Sequence, residues 1–181
     1  MGSDKAVVDF CGTRMIDRVV TTLGTVAEPV VVVARRGAGV DDVDAVVVHD
    51  ERPYAGPLPA LVAGLRATAR ERNVIVACDM PFLDAAFLRT LASLLDQTDA
   101  VVPITGAGPQ PLHAAYGDCA IEPLLAAIAS GEHSLIGAFG RLRVRWVPES
   151  EWKSHGHDGR SFTNVNTLEE LRAATALQTT G

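Results

Sequence analysis

Val74-Ile75-Val76-Ala77-Cys78-Asp79-Met80-Pro81-Phe82 decides the fold. Its opening residues are an unbroken apolar run rich in β-branched side chains. That pattern suits a strand covered on both faces, where continuous rather than alternating apolar residues are found. Pro81 ends the strand, because it has no N–H for a ladder and disfavours helix at Met80. Ligands of open α/β sheets gather beyond the carboxyl ends of the strands. Asp79 therefore stands where a site forms, a carboxylate suited to a metal ion, with a plain turn or helix cap as the competing reading.

Outward from this run, further strand-like segments are predicted at 30–34, 45–48, 100–102 and 142–147. Helical spacing of apolar residues is predicted at 13–23, 58–72, 84–95, 121–129 and 168–177, with Asp84 capping the third of these. Strand and helix alternate, which implies βαβ units with right-handed crossovers. The expected architecture is α/β, three layers αβα, with a mostly parallel sheet in a single domain over 1–181.

Composition narrows the functional classes. A chain of 181 residues with 48% hydrophobic content builds one sizeable core, and a net charge of -6 disfavours a nonspecific nucleic-acid binder. No apolar run approaches the roughly 20 residues of a membrane helix, and the first residues lack the pattern of a signal peptide. Cys11, Cys78 and Cys119 are odd in number and form no CxxC pair, so they are expected as buried thiols in a reducing, cytoplasmic setting.

Other residues carry possible chemistry. Lys5, ahead of Ala6-Val7-Val8, offers an ammonium to a phosphate, or is a solvated surface group. Asp50 ends the Val46-Val47-Val48-His49 run and precedes Gly56-Pro57, where a glycine permits close backbone approach and a helix begins. Asn164 and Asn166, two apart in an extended segment, point to one side and suit a phosphate or its water, or else stabilise a turn. Thr167 and Glu170 beside them form a capping box. Gln110 follows the loop 106–109 and can hydrogen-bond a substrate. His155-Gly156-His157 reads as a solvated loop rather than a zinc site, and the segment 153–160 as a mobile loop beside the asparagines.

Taken in order, these pieces resemble the molybdenum cofactor guanylyltransferases, the MobA family of nucleotidyltransferases. Met1-Gly2-Ser3-Asp4-Lys5 resembles the end of that family's signature, Leu-x-Gly-Gly-x-Ser-x-Arg-Met-Gly-x-Asp-Lys. Asp50 before Gly56-Pro57-Leu58, Cys78-Asp79-Met80-Pro81, Gln110-Pro111-Leu112, Ser130-Gly131-Glu132 and Phe162-Thr163-Asn164-Val165-Asn166 follow in sequence. The resemblance implies a Rossmann-like nucleotidyltransferase fold and transfer of GMP from GTP to molybdopterin. It implies Lys5 and Asp79 as catalytic residues and Mg²⁺ on Asp79. The nucleotide would be bound by Lys5, Asp50, Gly56 and Asp79, and the acceptor by Gln110, Asn164 and Asn166. Molybdoenzyme maturation proteins are the expected partners, with no nucleic acid and no membrane. The family's first strand and Gly-Gly phosphate loop precede its Met-Gly; the expectation is that Met1 is an internal methionine of a longer protein and that the strands flanking the missing one have unpaired edges. Ala34, where relatives often carry asparagine, leaves CTP or another phosphorylated acceptor as an alternative, and a non-catalytic nucleotide-binding module is the reading from outside enzymes.

Overall fold

The structure, a computed structural model, describes residues 5–50 and 56–179. A 3-10 turn at Lys5–Val7 leads into a small hairpin of β1 (Asp9–Phe10) and β2 (Thr13–Arg14). Cys11 and Gly12 at its tip both have positive φ, the conformation a two-residue hairpin needs to match strand twist. Next come α1 (Met15–Gly24), β3 (Val31–Ala34), β4 (Val46–His49), α2 (Pro57–Thr68) and β5 (Arg72–Val76). Then follow α3 (Ala85–Ser93), β6 (Ala100–Thr105), β7 (Gly108–Pro109), β8 (His113–Gly117) and α4 (Ile121–Ala129). The chain ends with α5 (Leu135–Ala138), β9 (Val144–Val147), α6 (Glu149–Ser154) and α7 (Leu168–Thr179).

Three layers form as expected. Ala100, Val102, Ala114 and Tyr116 face α2, α4 and α5, where Leu58, Leu61, Leu65 and Leu124 fill the core. Val101 and Ala115, the alternate residues of the same strands, face Phe87 and Leu91 of α3 and Trp152 of α6. On the same side, α1 sends Ile16 and Val20 against β3 and β4, and α7 closes over Phe10 and Met15.

The sheet is not mostly parallel. β3 pairs with β4 and β6 with β9 in parallel, but β8 runs antiparallel to both β5 and β6. The reason lies in the connection: after β6 the chain reverses through the β6–β7 hairpin, where Gly108 has a φ of 104°, and no crossover helix intervenes. β8, His-Ala-Ala-Tyr-Gly, was not predicted as a strand. It carries no β-branched residue, yet all five positions are buried, because small alanines let helices approach from both faces.

Two other expectations change. The helix predicted to reach 72 ends at Thr68 with Ala69 in the left-handed region, and Arg72 already belongs to β5. The cysteines are free but not buried: Cys11 and Cys119 are exposed and Cys78 is half-buried. Cys11 occupies a hairpin tip, and Cys119 lies in the short 3-10 turn before α4.

Between β3 and β5 lies an apolar slot of about 300 Å³, lined by Val31–Val33 and Val74–Val76, with Ile16 and Val20 of α1 on one face and Leu61 of α2 on the other. Val46 N–H and Asp50 N–H donate to the carbonyls of Val30 and Ala34. In an extended chain the alternate groups point the opposite way, so Val31 and Val33 turn their amides to the slot. Ala77 N–H donates to Leu112 on the β8 side, which by the same alternation turns Val74 and Val76 toward the slot. No ladder partner occupies it among the described residues. Amide exchange measured by NMR is therefore expected to be on the order of 100-fold faster at Val31, Val33, Val74 and Val76 than at Val32 and Ile75. Equal protection on the two sides would show that the slot is closed in solution.

Candidate active site

β5 delivers Asp79 beyond its carboxyl end, as the sequence implied, and Asp79 is not the helix cap. That role belongs to Asp84, whose Oδ1 accepts from the amides of Ala86 (2.8 Å) and Phe87 (3.2 Å) at the start of α3. Asp79 is half-buried and its Oδ1 is shielded from solvent. Its backbone carbonyl accepts the Val165 amide at 2.9 Å, which draws the Asn164-Val165-Asn166 segment to the end of β5.

Chain neighbours of this bonded pair, Cys78 and Asn164, line two separate concavities. One, of about 230 Å³, is lined by Ala34, Arg35, Asp50 and Cys78, so the residue before Asp79 forms part of its wall. Asp50 is fixed there by its amide, which donates to the Ala34 carbonyl at 2.8 Å. The other, of about 380 Å³, brings Gln110 and Asn164 together with Thr105, Trp152, Lys153 and Phe162. Gln110 Nε2 donates to Thr105 Oγ1 (3.0 Å) and the Gly108 carbonyl (3.2 Å), which leaves its Oε1 as the acceptor it can present to a ligand.

The remaining predicted residues are placed unevenly. Lys5 opens the first 3-10 turn, but its side chain lies outside the described residues, as do Met1–Asp4 of the signature. Gly56 caps α2 with a φ of 85°, and a Cβ there would stand 2.9 Å from the His133 carbonyl, so the protein's own backbone already requires glycine. Asn166 is exposed; its amide donates to Glu170 Oε2 at 2.6 Å. The capping box is present, with Glu170 N–H to Thr167 Oγ1 at 3.1 Å and Thr167 N–H to Glu170 Oε2 at 2.9 Å.

His157 corrects the solvated-loop reading. It is buried, stacks on Phe87 at 4.4 Å between ring centres, and its Nδ1 lies 2.9 Å from Asp84 Oδ2. Burial raises the Asp84 carboxyl, but the bonds from His157 and from the α3 amides outweigh it and hold the group below the usual carboxylate range. His113, the first residue of β8, is fully buried, and burial lowers its pKa to about 4, with the Asp84 charge only partly opposing that. Neither histidine was marked as important in the sequence. His157 lies in a polar, glycine-containing stretch, Ser154-His155-Gly156-His157-Asp158, that carries no signal for burial, and its pairing with Asp84 is visible only once the chain is folded.

A metal ion has few protein ligands to draw on. Among the described residues no cluster of three His, Cys, Asp or Glu side chains could hold one. A single shielded carboxylate still fits a hard divalent ion that takes most of its oxygens from phosphates and water.

Comparison with known proteins identifies the family. The MobA-like NTP transferase domain matches residues 1–154. The chain belongs to that family. A molybdenum cofactor guanylyltransferase of Desulfosudis oleivorans is 34% identical over 97% of this chain and 87% of its own. A solved molybdopterin-guanine dinucleotide biosynthesis protein A of Archaeoglobus fulgidus superposes with a TM-score of 0.84 at 26% identity, covering 99% of this chain and 93% of its own. A Mycobacterium tuberculosis protein solved in complex with manganese shares the fold alone, with a TM-score of 0.65 at 19% identity, over 97% of this chain and 93% of its own.

The buried His113 of this MobA-like domain gives a pH test. Its folded pKa, about 4, lies below the ordinary value of 6.5, so the folded state binds fewer protons between these values. Stability is then complete above about pH 6.5 and falls as pH drops toward 4, by roughly 3 kcal/mol in total. Thermal melts at a series of pH values should show that slope in the parent chain and lose it in His113→Leu; an unchanged slope would remove His113 as its source.

Proposed function

We propose that this chain transfers GMP from GTP to molybdopterin, releasing pyrophosphate and forming the guanine dinucleotide. The observation that carries the reading is that Asp79 follows Cys78, in the wall of one concavity with Asp50, and through its carbonyl holds Val165, the neighbour of Asn164 in the wall of the other with Gln110. A two-substrate phosphoryl chemistry needs this arrangement: the reacting phosphates meet at the carboxylate while each substrate's distal part lies to its own side.

In the transfer, an oxygen of the acceptor phosphate forms a bond to the α-phosphorus of GTP, and the bond from that phosphorus to the β-bridging oxygen breaks, with both electrons leaving on pyrophosphate. No covalent enzyme intermediate is required. Asp79 would hold Mg²⁺, which when bound neutralises charge on the phosphates. Asp50 and Arg35 line the side assigned to the nucleotide, Lys5 is assigned to its phosphates, and Gly56 to the loop that approaches it. Gln110 Oε1 offers an acceptor to the N–H groups of a pterin, and Asn164 and Asn166 supply amides to its phosphate. Half-burial of Gln110 and its two fixed donors keep that oxygen from rotating away, which favours one ligand orientation. A cytoplasmic location and hand-over of the product to molybdoenzyme maturation proteins complete the proposal.

The test is an initial-rate assay with GTP, Mg²⁺ and molybdopterin, with CTP in parallel. Asp79→Asn should lower kcat by about 100-fold or more while the far-ultraviolet circular dichroism is retained, because it removes charge where the phosphates react. Gln110→Ala should raise the KM for molybdopterin and leave that for GTP. Faster turnover with CTP would reassign the base, and nucleotide binding without turnover would favour a non-catalytic module.

A further inference from the structure

The segment that carries Asn164 and Asn166 has no place in the sheet, yet it must stay in register with Asp79 if the two are to act on one pair of substrates. The bond from Val165 N–H to the Asp79 carbonyl joins them directly. A second set of contacts, buried and polar, lies just upstream and takes no part in the chemistry above. The 3-10 turn Arg160–Phe162 directs Ser161 inward, where it is 3% exposed. Ser161 Oγ accepts the Asp84 amide at 2.9 Å and lies 3.2 Å from His113 Nε2. On its other side, His113 Nδ1 is 3.4 Å from Met80 Sδ.

One assignment of protons satisfies every group in this set. Ser161 accepts from Asp84 N–H and donates its own hydrogen to His113 Nε2; the neutral imidazole then carries its proton on Nδ1 and donates it to the Met80 sulfur. His157 adds a grip on the same aspartate, with Nδ1 donating to Oδ2 while Oδ1 caps α3. The loop thus holds Asp84 by both amide and carboxylate, and holds Met80, the neighbour of Asp79, through His113. Phe87 and Phe162 cover the set, with Phe162 at 4.7 Å from the His113 ring. An apolar stack alone allows sliding, whereas hydrogen bonds in a dry setting fix direction and distance.

We infer that Ser161, His113 and His157 are positioning residues, a buried polar clasp that fixes the Asn164–Asn166 segment against the Asp79 loop and so sets the acceptor side of the site. None of the three lines either concavity assigned to the substrates: His113 is fully buried, His157 stacks on Phe87, and Ser161 is 3% exposed. That the clasped segment serves the acceptor rests on the proposed transfer reaction; that it is clasped does not.

Ser161→Ala removes both hydrogen bonds of the hydroxyl, and His157→Leu breaks the grip on Asp84 without altering any strand. Each is expected to speed amide exchange at Val165 by roughly tenfold or more while Ala114 and Ala115 in β8 keep their protection. In the assay with GTP and molybdopterin, each should raise the KM for molybdopterin by about tenfold with the KM for GTP within about twofold. His113→Gln, which keeps an acceptor within reach of Ser161, should retain most of the Val165 protection that His113→Leu loses. Unchanged exchange at Val165, equal loss across Val165, Ala114 and Ala115, or parallel rises in both KM values would each overturn the clasp. If the parent chain turns over no molybdopterin, the transfer reading fails, while exchange at Val165 still decides the clasp.

Discussion

β8 runs antiparallel into the space between β5 and β6, and most of what makes a site of this molecule depends on that insertion. Its pairing with β5 aligns Val76 with His113, so the strand that leads to Asp79 and the strand that begins after Gln110 meet at the same end of the sheet. Its other ladder fixes β6, on which β9 and the loop leading to α6 are built. Because Ala114 and Ala115 are small, α2 and α4 pack closely on one face and α3 on the other. A larger residue at either alanine, both fully buried, would overpack the site.

Around that edge the protein separates two tasks. Apolar packing brings β5, β8 and α3 together but does not fix where a loop lies along them. Directional contacts do so: Asp84 caps α3 and receives His157, Ser161 joins Asp84 to His113, and Val165 joins the last loop to Asp79. The buried polar groups of Ser161, Asp84 and His113 are matched to partners, with His157 Nε2 left without one, and a neutral His113 avoids an uncompensated charge in the core. The same neutrality ties stability to pH, since acid must place a proton on a group that burial keeps unprotonated.

Much of this was legible in the sequence where local rules act. The Val74–Ala77 run, the proline after it, the capping role of Asp84 and the Thr167–Glu170 box depend on neighbours within a few residues, and each appears where its pattern pointed. β8 was not legible, because a strand of alanines is identified by what packs on both its faces rather than by its own preference. The expected parallel sheet failed because direction is set by the connection between strands, and a hairpin at Gly108 inserts the antiparallel β8 ahead of the expected helix at 121–129.

The residue types of the site were present in the linear chain, and their order was enough to mark Asp79, Asp50, Gln110 and the two asparagines as members of one pattern. Sequence by itself determined these chemical groups and the strands and helices that carry them, because propensity, capping and proline chemistry are short-range. Only the tertiary structure decided which groups meet. Gln110 and Asn164 share one concavity, Asp50 and Cys78 another, and His113 and His157 reach Ser161 and Asp84 across separations of 48 and 73 residues. Contacts of that range are fixed by sheet order and loop closure, which no local window of the chain contains.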